Sequence, residues 1–129
     1  MNERIEQELA LLRTVYPDLE WHPDSFWVRI PSYALPHGVW KQKEVELAFQ
    51  MPANLPGQQP YGFWVRPGLE LADGRPPNNY TPSVTTALGD GWGQFSWSPM
   101  VWQPQVEISA GSNMLNFVRS IADRLQEGY

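Results

Sequence analysis

The period of the hydrophobic residues changes twice along this chain, and this change restricts the fold class more than any other feature. Near the amino terminus, four apolar residues recur at spacings of four, three and four: Ile5, Leu9, Leu12 and Tyr16. This pattern is typical of a helix with one apolar face, and it predicts a helix over residues 3–15. Asn2 can cap its start, and Pro17 ends it because the residue before a proline avoids the α region.

The helical period returns at the other end of the chain. Five apolar residues follow it there: Met114, Phe117, Val118, Ile121 and Leu125. We predict a helix over residues 113–126, with Ser112 or Asn113 as its N-cap. Arg119 and Arg124 lie toward its carboxyl end, where positive charge is favourable. Because both apolar stripes are narrow, each helix is expected to pack through one face.

Between the helices, apolar and polar residues alternate, as in a strand that buries one face. Three runs show this period: residues 25–30, 43–51 and 62–65. Such alternation is typical of an antiparallel meander. We therefore predict an α+β fold of three or four antiparallel strands, with the first helix flanking the sheet at one end and the last helix packed on or beside it. The expected core residues are Leu9, Leu12, Phe26, Val28, Val45, Leu47, Phe49, Phe117, Val118 and Ile121.

The segment between Pro67 and Ser112 shows no regular period and is rich in proline and glycine. A stretch of about 45 residues without an element is unusual in a compact domain. Its aromatic content argues against disorder, because disordered segments are poor in aromatic residues. We predict an ordered, proline-rich wrap over one face of a single domain that spans residues 1–129.

The absence of cysteine restricts the chemistry. With no cysteine in 129 residues, the chain has no disulfide, no thiolate metal centre and no cysteine nucleophile. The two histidines, His22 and His37, cannot by themselves form a metal site. Residues 89–93 are glycine-rich but lack the lysine of a phosphate-binding loop. We therefore predict neither a metal nor a cofactor.

Charge and hydropathy argue against two classes of partner. The net charge is −5 and no basic stripe is present, which argues against sequence-independent binding to nucleic acid. No apolar run approaches the roughly 20 residues of a membrane span, and the amino terminus does not have the pattern of a signal peptide. The expectation is a cytoplasmic protein that binds neither nucleic acid nor a membrane.

Several short motifs occur in an order that can be compared with known families. A proline-rich segment, residues 51–60, separates the second and third predicted strands, and Trp-Ser-Pro stands at residues 97–99. Residues 63–77, 91–97 and 102–104 complete the series. In this order the chain resembles the ubiquitin-conjugating-enzyme (UBC) superfamily, in particular its prokaryotic branch called family E, over residues 5–125. The resemblance implies a UBC-like fold and a role in a ubiquitin-like conjugation pathway, with a ubiquitin-like protein and an activating-enzyme-like protein as partners.

One departure from conventional members concerns catalysis. They carry a cysteine about eight residues before the Trp-Ser-Pro, near Gly89 here, because a thiolate forms a reactive thioester. They also carry an upstream His-Pro-Asn whose asparagine supports the oxyanion. This chain has only a loose counterpart at residues 75–79, which makes Asn78 and Asn79 the oxyanion candidates. A hydroxyl could replace the thiol if a base lay beside it, and the candidates are Ser83, Thr85, Thr86 and Ser96.

Three functional hypotheses remain open. The first is a non-catalytic UBC-like protein that binds a ubiquitin-like or activating-type protein, with Trp92, Trp97 and Trp102 as binding residues. The second is an active conjugating enzyme that uses a hydroxyl, or a cysteine that has been replaced in this chain, for example at Ala87. The third is an aromatic-rich module for peptide or glycan. The missing nucleophile favours the first hypothesis. Tryptophans in irregular segments, however, more often pack against a core than bind a partner.

Overall fold

The computed structural model describes residues 3–128. Along this part of the chain, one α-helix precedes six strands and a second α-helix follows them. Asn2, the predicted cap of the first helix, lies outside the described residues. The elements are α1 (Glu3–Arg13), β1 (Glu20–His22), β2 (Trp27–Ala34), β3 (Glu44–Gln50), β4 (Phe63–Arg66), β5 (Tyr80–Thr86), β6 (Gly89–Phe95) and α2 (Met114–Gln126), with a short 3₁₀ helix (Ile108–Ala110) before α2. The predicted α+β class is confirmed, and both helices fall within a few residues of their predicted bounds.

The six strands form one sheet in the order β1-β2-β3-β4-β6-β5, and every neighbouring pair is antiparallel. The register places apolar residues opposite one another on the inner face: Val28 opposite Phe49, Leu47 opposite Val65, and Phe63 opposite Phe95. Both helices share one core with this face. Phe117 of α2, for example, lies edge-on to Phe49 with 5.7 Å between ring centroids.

The long wrap predicted between residues 67 and 112 is not confirmed, because β5 and β6 form a hairpin within it. The alternation is hidden for two reasons. Strand β5 lies at the edge of the sheet and exposes most of its side chains, and the register shifts between Thr81 and Val84. In β6, glycines take positions where apolar residues would mark a buried face. The sheet therefore has six strands instead of three or four.

Strand β1 was not predicted either. A strand of this length carries no measurable period. It is identified only by its pairing with β2, in which Trp21 lies opposite Val28.

Nine of the ten predicted core residues are buried, and Phe26 is the exception. Phe26 lies just before β2 with a φ of 61°, so it does not follow the alternation of the strand. Its ring is half-buried and lies edge-on to Trp21, with 5.9 Å between centroids. A left-handed conformation is uncommon for a bulky residue, and the turn between the first two strands imposes it here.

The outer face of the sheet carries a second, smaller apolar cluster. Trp27, Ala48 and Trp92 are buried there, with Trp64, Val84 and Leu88 packed against them. Trp27 and Val28 are consecutive in β2 and so point to opposite faces. The ring of Trp27 meets that of Trp64 at 4.6 Å between centroids. Both faces of the sheet therefore bury aromatic side chains.

Candidate functional site

Gly89, near which the motif spacing predicts the cysteine of a conventional conjugating enzyme, lies at the turn of the β5–β6 hairpin. The Thr85 hydroxyl donates a hydrogen bond of 2.8 Å to Oδ1 of Asp90. The Thr86 hydroxyl accepts one of 2.9 Å from the Leu88 amide, which closes the turn. Gly89 has a φ of 118°, a conformation that favours glycine, so a side chain at this position would be strained. Among the four candidate hydroxyls, Thr85 has a carboxylate as its partner.

The other end of the hairpin holds the asparagine candidates. The carbonyl of Asn79 accepts a hydrogen bond of 2.8 Å from the amide of Ser96, while that of Asn78 accepts one of 3.0 Å from Nη2 of Arg124. Asn79 has a φ of 56°, which asparagine tolerates better than most residues. Both residues are exposed. Their backbone therefore starts the hairpin and connects it to α2.

The hairpin separates the candidates instead of gathering them. Asn79 precedes the first residue of β5, and Thr85 lies near its last. At about 3.3 Å per residue, these ends are roughly 20 Å apart. Ser96 therefore accompanies the asparagines at one end, and Thr85 accompanies Asp90 at the other. Ser83 lies between them on the edge strand, exposed and with a φ of 59°.

His22 is too far from this hairpin to supply a base to it. His22 belongs to β1 and Thr85 to β5, which are the two opposite edges of the sheet. Five strand spacings of about 4.8 Å separate these edges, or roughly 24 Å. His37 is exposed in the connection between β2 and β3, which bonds to residues 70–72 through Val39 and Lys41.

The three tryptophans predicted to bind a partner have different surroundings. Trp92 is completely buried in the outer cluster, beneath the guanidinium of Arg66, which lies 4.4 Å from its ring. Trp97 is half-buried on the inner side, where its ring meets Phe63 at 5.7 Å and Phe117 at 5.8 Å. The three rings therefore do not form one exposed face. In this conformation Trp92 supports the sheet, while the binding roles of Trp97 and Trp102 stay predictions.

Trp102 joins two irregular segments, residues 52–62 and 97–106, which we call the two-loop surface. Its Nε1 donates a hydrogen bond of 2.9 Å to the carbonyl of Pro56. The amide of Gly62 donates one of 2.6 Å to the carbonyl of Trp97. These bonds hold the proline-rich turn against the chain that follows the hairpin.

Exposed apolar side chains project from the two-loop surface. Tyr61 is 61% exposed, Val101 is 63% exposed, and Met100 and Val106 are almost completely exposed. Their exposure could not be predicted from the sequence, because no local pattern separates an exposed apolar residue from a buried one in an irregular segment. Fully exposed apolar residues on a held backbone are typical of contact surfaces.

The polar part of the outer face is held by ion pairs. The carboxylate of Glu46 accepts hydrogen bonds of 2.6 and 2.9 Å from Arg66 and one of 2.7 Å from Arg29. The bonds from Arg66 are the main reason that the pKa of Glu46 lies below its ordinary value. Burial opposes this lowering, and the bond from Arg29 adds to it. The same pair raises the pKa of Arg66. Arg66 thus neutralises Glu46 and covers Trp92.

Two further features of the described residues concern metal binding and membrane crossing. Within residues 3–128, no three histidine or acidic side chains are grouped so that they could hold a metal ion. In the same part of the chain, neither helix has the length and apolarity needed to cross a bilayer.

The sequence of nearly the whole chain matches a known protein family. The profile of the family described as prokaryotic E2 family E matches residues 6–127. Searches of curated proteins and of solved structures gave no match. The matched range includes both helices and all six strands except for the first residues of α1, which agrees with the resemblance seen in the sequence motifs. The chain therefore belongs to the prokaryotic E2 family E.

Proposed function

We propose that this protein is a non-catalytic, E2-like component of a bacterial ubiquitin-like conjugation pathway that binds a ubiquitin-like or an activating-enzyme-like protein. The observation that carries the proposal is a family match over nearly the whole chain in a sequence without cysteine. An E2-like domain without a thiol lacks the group that forms a thioester, which favours a binding role over a catalytic one.

The geometry around the hydroxyls supports this proposal. The carboxylate of Asp90 orients the Thr85 hydroxyl at 2.8 Å, but a carboxylate is too weak a base to ionise an alcohol. The asparagine candidates lie at the far end of the hairpin, roughly 20 Å away. The Thr85 hydroxyl and the oxyanion candidates are thus not assembled at one place.

The two-loop surface supports a binding role. Its backbone is held by Trp102 and by the bond between Gly62 and Trp97, so docking would require little ordering of this segment. Its exposed apolar side chains, Tyr61, Met100 and Val101, are suited to burial against a partner. Replacing Trp102 with alanine should therefore weaken partner binding by about 2 kcal/mol or more.

The test is an incubation of the protein with a bacterial ubiquitin-like protein and an activating-type protein, with ATP, followed by intact mass and by titration calorimetry. We expect binding to one of the two and no covalent adduct. Alanine at Ser83, Thr85, Thr86 or Ser96 should leave binding unchanged. Failure of both proteins to bind would refute the proposal.

A second candidate function, oxyester formation on Thr85, is favoured by its bond to Asp90. The same incubation distinguishes it. An adduct that resists thiol reductant, is cleaved by base and disappears in Thr85→Val would identify an active conjugating enzyme. Ser83→Ala is the matched control, because Ser83 lies on the same strand without being paired to Asp90.

A further inference from the structure

A groove separates residues 97–101 from the carboxyl half of α2. Its volume is about 360 Å³, and it is open to solvent. Trp97, Met100 and Val101 line one side, while Ser120, Asp123 and Glu127 line the other. We call it the α2 groove. One wall is apolar, and the other carries two carboxylates.

The apolar wall is exposed although its backbone is held at both ends. Trp97 is packed on Phe63 and Phe117 at one end. At the other end, the amide of Gln103 donates a hydrogen bond of 2.8 Å to the Ser112 hydroxyl, and the amide of Ser112 donates one of 3.0 Å to the carbonyl of Gln103. Met100 and Val101 thus remain exposed without being on a free end, which lowers the entropy cost of docking.

The acidic wall gives the groove its charge. Asp123 and Glu127 are four residues apart, so they lie on the same face of the helix, and both are exposed. Their position near the carboxyl end of α2 adds the negative end of the helix dipole. Arg124 also lines the groove, but it is 3% exposed, and its guanidinium donates to the carbonyl of Asn78 and lies 5.4 Å from the ring of Phe95. The charge that faces solvent here is therefore negative.

We propose that the α2 groove binds a short segment of a partner protein in which an apolar side chain lies next to one or two lysines or arginines. The apolar side chain would pack between Trp97 and Met100, and the basic groups would meet Asp123 and Glu127. The inference rests on the proposed function, in which the partner is a ubiquitin-like or activating-type protein. It adds the binding site and the chemistry of the contacting segment.

Two groove variants test the proposal in titrations with the pathway protein that binds. Asp123→Asn with Glu127→Gln removes the charge, and Met100→Ser with Val101→Ser removes the apolar wall. Each should weaken binding by about tenfold or more, and the wild-type affinity should fall as salt rises from about 50 to about 300 mM. Two matched controls should change affinity by less than about twofold. They are Val15→Ser, an exposed valine that lies outside both the groove and the two-loop surface, and Glu6→Gln on α1.

A probe peptide tests the groove independently of the pathway. Acetyl-Leu-Lys-Leu-Arg-amide is titrated into the isotope-labelled full chain, and backbone amide shifts are followed by NMR. We expect shifts confined to residues 97–101 and 120–127, and their loss in the Asp123→Asn, Glu127→Gln variant. A peptide with glutamates in place of its basic residues should give none.

The outcomes separate the two proposals. If a pathway protein binds all groove variants as tightly as the wild type, the groove proposal is overturned and the proposed function stands. If neither pathway protein binds while the probe shifts the groove amides, the proposed function fails and the groove remains a site for basic segments. Probe shifts spread over other surfaces would refute the groove as well.

Discussion

The indole Nε1 of Trp102 lies 2.9 Å from the carbonyl oxygen of Pro56 and donates a hydrogen bond to it across 46 residues of sequence. This bond holds the segment after the hairpin against the proline-rich turn. The exposed apolar residues of the two-loop surface depend on it for their position. A fixed contact, instead of a regular element, therefore shapes the surface that we expect to bind a partner.

Trp102→Phe should lower the free energy of unfolding by about 1 kcal/mol, because the ring remains while the carbonyl of Pro56 loses its donor. Urea denaturation measures the change. Amide exchange in residues 97–105 should become faster in the variant. Tyr61→Phe, at an exposed position of the same surface, is the control and should alter stability by less than about 0.5 kcal/mol. Equal stability of Trp102→Phe and the wild type would show that the bond contributes nothing.

Glu8 connects the two helices through a completely buried carboxylate. Its Oε1 accepts a hydrogen bond of 2.9 Å from the amide of Met114, the first residue of α2, and its Oε2 accepts one of 3.0 Å from Nε of Arg4. Glu8→Ala leaves both donors unpaired and should cost about 3–5 kcal/mol of stability. Glu6→Ala, on an exposed position of α1, should cost less than about 0.5 kcal/mol in the same urea titration. Similar losses in both variants would contradict the role of Glu8.

Glu46 should make stability depend on pH in the acid range. Its hydrogen bonds from Arg66, assisted by Arg29, hold the pKa of the folded state below the ordinary value of 4.5. The stabilisation is therefore present above about pH 4.5 and is lost as the pH falls through the lower pKa of the folded state. Urea midpoints between about pH 3 and 7 should decline on acidification.

Glu46→Gln removes this carboxyl and should flatten the decline, while also lowering stability at neutral pH. The exposed Glu6→Gln variant should keep the wild-type slope. A Glu46→Gln profile that is parallel to the wild type throughout the acid range would show that other carboxyls govern the response.

Phe49→Ala should cost about 3–5 kcal/mol, because the ring is completely buried at the centre of the sheet and lies edge-on to Phe117. The loss is measured by urea or thermal denaturation. Phe26→Ala offers a comparison and should cost less, since Phe26 is half-buried and lies outside the strand. An equal cost at the two positions would show that Phe26 belongs to the same core.

Both helices and three central strands could be predicted from the sequence because their patterns are local. The stripe Ile5, Leu9, Leu12 and the alternation Val45, Leu47, Phe49 each reflect a buried face along one element. Strands β1, β5 and β6 were not predicted. Strand β1 is too short to show a period, β5 lies exposed at the edge of the sheet, and β6 has glycines at alternate positions on the face that carries Phe95. Their pairing partners identify them, and pairing joins residues distant in sequence.

The candidate site divides in the same way. The absence of cysteine and the motif order could be read directly from the residues, and the motif order pointed to the E2 family that the profile match confirms. The positions of Thr85 beside Asp90 and of Asn79 at the far end of the hairpin could not be read from the residues. They depend on how β5 folds back on β6.

The sequence by itself determined the fold class, most of the core and the lack of a thiol, since period and residue type are properties of short segments. Only the tertiary structure decided that Trp92 is buried beneath Arg66, that Trp102 is bonded to Pro56, and that Met100 remains exposed beside Asp123. The physical reason is that the exposure of a side chain depends on what the rest of the chain brings to cover it.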